Sequence, residues 1–180
     1  MIRYKRYAGE KVYLTALAAD DAETITKWYN DFDVTQFMNE EHREIKSLLT
    51  VRDEVAEMIK SDEAFAIFDK ETDALIGYCQ CGDSLKFLLG EKDYWRKGYD
   101  IEALDFLLDF GFNIKNRNVI MVNAYSHDER ALACYEQVGF KKTAIYRERL
   151  LRGKDKYDLI FLDMLATEYF QREKRQRNEL

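Results

Sequence analysis

Apolar and polar positions change period several times along the chain, and each change predicts an element. Lys11–Leu17 alternates in the manner of a half-buried strand. Behind it, Asp20 or Asp21 can cap a helix whose apolar residues Ile25, Trp28 and Tyr29 recur at helical spacing, until Asn30-Asp31-Phe32-Asp33 interrupts the pattern. A second, strongly acidic helix is predicted over about Glu44–Lys60. Glu63–Asp69 and Leu75–Cys81 are apolar runs joined by Lys70-Glu71-Thr72-Asp73, the pattern of a hairpin, and Ser84–Gly90 extends the sheet after a tight turn at Gly82-Asp83. Tyr99–Ile114 then carries Ile101, Leu104, Leu107, Leu108 and Phe112 on one broad helical face. Val119–Tyr125 reads as a strand and Asp128–Val138 as a helix stopped by Gly139. Lys141–Leu165 reads as two strands around Arg152-Gly153-Lys154-Asp155, and the charged tail from about Gln171 is expected to fray.

The resulting order, β-α-α-β-β-β-α-β-α-β-β, predicts an α/β (α+β) fold: a mixed sheet with helices on both faces. The sequence contains no Pro, and no repeat or low-complexity tract marks a linker, so one domain is expected over residues 1–180. At 180 residues, with 47% apolar and 14% aromatic content, the chain has ample material for one core.

A net charge of −6 argues against nucleic acid or an anionic membrane as partner, while it tolerates a cationic amine. No apolar run reaches the roughly 20 residues that span a bilayer, and Met1-Ile2-Arg3-Tyr4-Lys5-Arg6 lacks the apolar core of a signal peptide, so a cytoplasmic location is expected. Cys79, Cys81 and Cys134 have no Cys-x-x-Cys spacing, which gives neither a disulfide framework nor a metal site. Cys79 and Cys81 share one strand face, as small buried residues do.

The stretch most suggestive of chemistry is Ser126–Phe140, where Tyr135 stands four residues before the helix stop Gly139-Phe140, directly after a strand. On this segment and two others the sequence resembles the Gcn5-related N-acetyltransferase (GNAT) superfamily, and within it the ribosomal-protein N-terminal and spermidine acetyltransferases. The other two run from Leu14-Thr15-Ala16-Leu17 to Trp28-Tyr29-Asn30-Asp31 and from Tyr94-Trp95-Arg96-Lys97-Gly98-Tyr99 to Glu102-Ala103. Each is weak alone; their order and spacing together are specific, and the resemblance spans nearly the whole chain.

The resemblance implies a mostly antiparallel central sheet and an acetyl-CoA co-substrate. It places the coenzyme's diphosphate on the backbone N–H groups of Arg96-Lys97-Gly98-Tyr99-Asp100, at a helix start whose dipole favours anions. Gly98 would permit close backbone approach, with Arg96 and Lys97 adding positive charge. Leu88, Leu89 and Gly90 would offer backbone groups to the pantetheine arm, with Asp128 and Ala131 also beside the coenzyme. Tyr135 would protonate or hydrogen-bond the departing thiolate, with a phenol near its ordinary pKa of about 10.

Two positions depart from the family's pattern. Asp128 stands where the family usually has Asn, and Asp100 where it favours Gly or Ala. Within about 4 Å of a diphosphate, the Asp100 carboxylate would cost roughly 1 kcal/mol in water and about 4 at a protein surface, unless it turns outward or caps the following helix. No general base is assigned: His42 and His127 are expected to be exposed spectators, and Glu40 and Glu41 to form a solvated acidic face able to attract a cation. The expected reaction is direct attack of a primary amine, on a small molecule or a protein N-terminus, within a ternary complex and without an acyl-enzyme. A non-catalytic binding module with a weakened coenzyme site is the alternative. Monomer and homodimer are both open.

Overall fold

A computed structural model describes residues 3–38, 44–82 and 84–178. The chain divides into two compact units, Met1–Gly82 with Lys86–Ala103, and Asp83–Leu85 with Leu104–Leu180. Among the described residues both contain antiparallel sheet flanked by helix, the mixed α/β architecture that the pattern predicts.

The first unit is built on a sheet in the order β1 (Lys5–Ala8), β2 (Val12–Ala16), β3 (Ala64–Asp69), β4 (Leu75–Cys81), β5 (Leu85–Leu89). Strands β1 to β4 pair antiparallel in sequence order, with Val12 opposite Asp69 and Phe65 opposite Cys79. The hairpin through Lys70–Asp73 forms as its apolar flanks predict. Every residue of β3 is buried, so it reads as an unbroken apolar run rather than an alternation. Strand β1 was not expected, because its residues are mostly exposed and carry no period-2 signal.

One side of this sheet packs on α1 (Ala22–Tyr29), α2 (Phe32–Thr35) and α3 (Leu48–Lys60). Tyr13, Ala64, Ala66, Phe68, Tyr78 and Leu88 meet Ile25, Trp28, Tyr29, Val51, Val55 and Met58 in a single cluster. The interruption at Asn30–Asp33 is a restart: Asp31 accepts from Asp33 N–H at 2.9 Å and caps α2. Helix α3 begins at Leu48 rather than near Glu44, since Ser47 Oγ accepts from Thr50 N–H at 3.1 Å. Glu40, Glu41, His42 and the Asp83 half of the predicted Gly82-Asp83 turn lie outside the described residues.

Helix α4 (Tyr99–Asp109) ends in a π-helical turn, Phe110–Ile114. The second unit holds β6 (Val119–Tyr125), β7 (Lys141–Arg152) and β8 (Asp155–Leu165) in the order β6-β8-β7, all antiparallel. Strand β6 alternates as read, with Ile120 and Val122 fully buried between exposed Val119 and Met121. Helix α5 (Glu129–Val138) follows β6, and α6 (Ala166–Asn178) follows β8. The segment expected to fray is therefore helical. Tyr169 is buried with its ring stacked on Phe112 at 4.9 Å, and Arg172 donates to the Val138 carbonyl at 2.7 Å and to Asp105 at 2.8 Å. Two anchoring side chains hold a helix that its charge alone does not predict.

Candidate active site

The loop after β5 is positioned by close backbone fits. Gly90 N–H donates to the Ile76 carbonyl at 2.9 Å, and a Cβ on Gly90 would stand 2.0 Å from the Trp28 ring, so only glycine fits. Trp28 Nε1 donates to Glu91 at 2.8 Å, and Trp95 Nε1 donates to the Leu89 carbonyl at 2.7 Å. Between two indoles, the chain leaves the sheet on a fixed path. Leu88 and Leu89 end β5, which stands last in the strand order of its sheet.

Beyond Trp95 the backbone turns left-handed twice, at Arg96 (φ +58°) and Gly98 (φ +81°). Gly98 does this freely; the Arg96 conformation costs about 1–2 kcal/mol, a strain typical of backbone held for a purpose. Trp95–Gly98 is a turn that leads directly into the 11-residue helix α4, so the N–H groups of its first residues point out of the helix start, where the helix dipole adds positive potential. The side chains of Arg96 and Lys97 are exposed, and no described carboxylate pairs with either. The Asp100 carboxylate is buried and accepts from the adjacent Ile101 N–H at 3.1 Å. Of the two orientations left open by sequence, it takes the one folded onto its own helix.

Two anchors fix the first turn of α4. Tyr99 donates its hydroxyl to Asp69 at the end of β3, and burial together with the Asp69 charge raises the phenol's pKa. Burial works to raise the Asp69 carboxyl in turn, but hydrogen bonds from the Thr72 hydroxyl, the Thr72 and Glu71 N–H groups and Tyr99 outweigh it and hold the carboxyl below its ordinary range. The second anchor is Glu102, whose carboxylate accepts from the N–H groups of Glu10, Lys11 and Val12 at 2.7, 2.9 and 2.7 Å. Sequence reading missed this bond. The available signals were Ala8-Gly9 ahead of the strand and an acidic residue in a helix's first turn.

In the second unit, Asp128 caps α5 by accepting from Ala131 N–H at 3.0 Å, so that N–H is already engaged. Burial pushes the Asp128 carboxyl up, against the pull of this bond and of nearby Arg130 and His127. Gly139, at φ +114°, ends the helix, and Tyr135's carbonyl accepts from both Gly139 and Phe140 N–H at 3.1 and 3.0 Å. Tyr135 is itself buried, its ring edge-on to Phe140 at 5.9 Å. The Gly-Phe stop thereby fixes both the backbone and the ring of this tyrosine. His127, expected to be exposed, is half-buried, with its ring 4.1 Å from Tyr157 and 6.0 Å from Tyr125. All three cysteines are buried and none is in a disulfide, and burial pushes the Cys79 thiol well up, which disfavours thiolate chemistry there. Among the described residues no three His, Cys, Asp or Glu side chains gather as metal ligands, and no helix is long and apolar enough to cross a membrane.

A family model described as an acetyltransferase (GNAT) domain matches residues 11–141, from the turn before β2 to the start of β7. The chain belongs to the GNAT acetyltransferase family. Members of that family use acetyl-CoA. The GNAT assignment agrees with similarity to an N-acetyltransferase, p20, from Bacillus licheniformis, 23% identical over 171 residues, covering 89% of this chain and 96% of that one. Among solved structures, a GNAT-family acetyltransferase from Bacillus anthracis superimposes with a TM-score of 0.76 at 17% identity, over 89% of this chain and 98% of that one. Spermidine N-acetyltransferase from Vibrio cholerae, solved with CoA and spermine, gives a TM-score of 0.76 at 19% identity, over 88% and 98%. Both share the GNAT fold with this chain.

Proposed function

We propose that this chain transfers the acetyl group of acetyl-CoA to a primary amine by direct attack within a ternary complex. The observation that carries the reading is the left-handed turn at Arg96 and Gly98 that opens α4, with the exposed side chains of Arg96 and Lys97, which no described carboxylate pairs. Such a turn binds oxyanions by helix-start amides and charge together. Acetyl-CoA supplies the acyl group already activated as a thioester. Leu88, Leu89 and Gly90 offer backbone groups to its pantetheine arm along β5, which stands last in the strand order of its sheet.

In the reaction an acceptor ammonium first gives a proton to water, the free amine nitrogen bonds the acetyl carbon, the carbon–sulfur bond breaks and sulfur takes the Tyr135 proton, and the proton then released by the acylated nitrogen returns through water to the Tyr135 phenolate. No nucleophile of the protein is needed, in keeping with three buried cysteines. A small cationic amine is the favoured acceptor, because the chain carries a net charge of −6 and spermidine N-acetyltransferase is among its structural neighbours.

One observation favours a second reading, a binding module with a weakened coenzyme site: the Asp100 carboxylate sits within the turn that would hold the diphosphate. Calorimetry with acetyl-CoA, followed by a panel of primary amines with released thiol as readout, separates the two. Binding with amine-dependent thiol release is expected. Absence of binding at millimolar acetyl-CoA defeats acetyl transfer.

A further inference from the structure

Lys11 lies outside all three segments that carry the family resemblance, at the turn between β1 and β2. Its backbone is nonetheless tied to the first turn of α4. The Glu102 carboxylate accepts the N–H groups of Glu10, Lys11 and Val12, and Gly9 makes room for it, since a Cβ there would stand 2.4 Å from the Glu102 carboxyl carbon. This brings Lys11 Cε to 3.8 Å from the position of a Cβ on Gly98, and Nζ to 5.6 Å from the centre of the Tyr99 ring. Among the described residues no carboxylate pairs with this ammonium, and the side chain is exposed. Neighbouring Lys70 is engaged, donating to the Gly9 carbonyl at 2.6 Å. A cation that no described carboxylate engages therefore stands beside the turn that opens α4.

We propose that Lys11 is a third cation for the coenzyme's diphosphate, acting with Arg96 and Lys97 and held at Gly98 by Glu102. The inference rests on the acetyl-CoA reading of the site. A lysine that only stacks on Tyr99 would not sense the ligand's charge, whereas a diphosphate-binding lysine contributes in proportion to it.

The test is calorimetric titration of the whole chain with CoA and with dephospho-CoA, which lacks the 3′-phosphate, for wild type, Lys11→Met and Lys11→Arg. Lys11→Met is expected to weaken both ligands equally, by about tenfold, within the range set by one ion pair between bulk water and a protein surface. Lys11→Arg should retain most of the affinity, and added salt should narrow the gap between wild type and Lys11→Met. Unchanged affinity in Lys11→Met, with an unchanged melting temperature, overturns the inference and leaves acetyl transfer standing. A loss confined to CoA overturns the diphosphate assignment in favour of the 3′-phosphate. If wild type binds neither ligand, the acetyl-CoA reading falls and this inference with it.

Discussion

Replacing Glu102 by Gln keeps the side chain's shape and removes its charge, which isolates what the carboxylate does for the start of α4. One carboxylate oxygen accepts from Glu10 N–H and the other from both Lys11 and Val12 N–H. A glutamine can place its single carbonyl oxygen on the Lys11 and Val12 side, keeping two bonds without their charge assistance. Its NH2 then faces the Glu10 N–H, donor against donor. Hydrogen bonds to charged groups contribute about 1.5–3 kcal/mol and neutral ones about 1, so losing one bond and weakening two costs about 2–4 kcal/mol after allowance for partial exposure. For a chain of this size that lowers the melting temperature by roughly 4–16 °C. Scanning calorimetry of wild type, Glu102→Gln and the surface control Glu10→Gln measures it, with the control expected within about 0.5 kcal/mol of wild type. A Glu102→Gln melting temperature within about 1 °C of wild type would refute the claim that this carboxylate ties the β1–β2 turn to the helix.

Asp100→Ala removes a negative charge that the Ile101 N–H holds on its own helix, so acetyl-CoA binding is expected to tighten by no more than about fivefold, the value for one unit charge at about 4 Å in water. Tightening well beyond that by calorimetry would show that the carboxylate faces the ligand. Tyr135→Phe should lower kcat by about a hundredfold with little change in the KM for acetyl-CoA, as loss of a general acid does; an unchanged kcat would remove Tyr135 from the chemistry. Asp128→Asn keeps a good helix cap while deleting a carboxyl whose pKa burial has raised. Between the usual aspartate value and the raised one the folded chain binds a proton that the unfolded chain has released, so the buried carboxylate costs stability above that window and ceases to do so below the usual value of about 4. Asp128→Asn should therefore melt higher than wild type at pH 7, with the gap closing as pH falls; a gap that widens in acid contradicts this.

Period and punctuation located most of the elements, for identifiable reasons. Strand β6 was legible to the residue as a short run rich in β-branched and apolar residues, Val119-Ile120-Met121-Val122, although its burial alternates over most of its length. Helix α5 was legible because Asp128 and Gly139 mark its ends by side-chain capping and by a positive φ. Strand β1 and helix α6 escaped for the opposite reason. Glu102 fixes the turn that leads β1 into β2 from 90 residues or more away in sequence, and α6 is held by Tyr169 and Arg172 against Phe112, Val138 and Asp105, so neither advertises itself locally.

The same distinction runs through the candidate site. Arg96, Lys97 and Gly98 are adjacent, and a glycine after two basic residues at a helix start could be read directly. What the sequence does not show is the left-handed Arg96 and the two anchors on α4, Tyr99 to Asp69 of β3 and Glu102 to the β1–β2 turn, which depend on residues far away in the chain. Asp100 is the informative case. A carboxylate tolerated inside an anion site must be restrained by its surroundings, and its Oδ1 accepts from the adjacent Ile101 N–H. Engaged there, it is held on its own helix. A family-atypical aspartate and a functional diphosphate loop are therefore compatible, provided the Asp100–Ile101 bond persists when the ligand arrives.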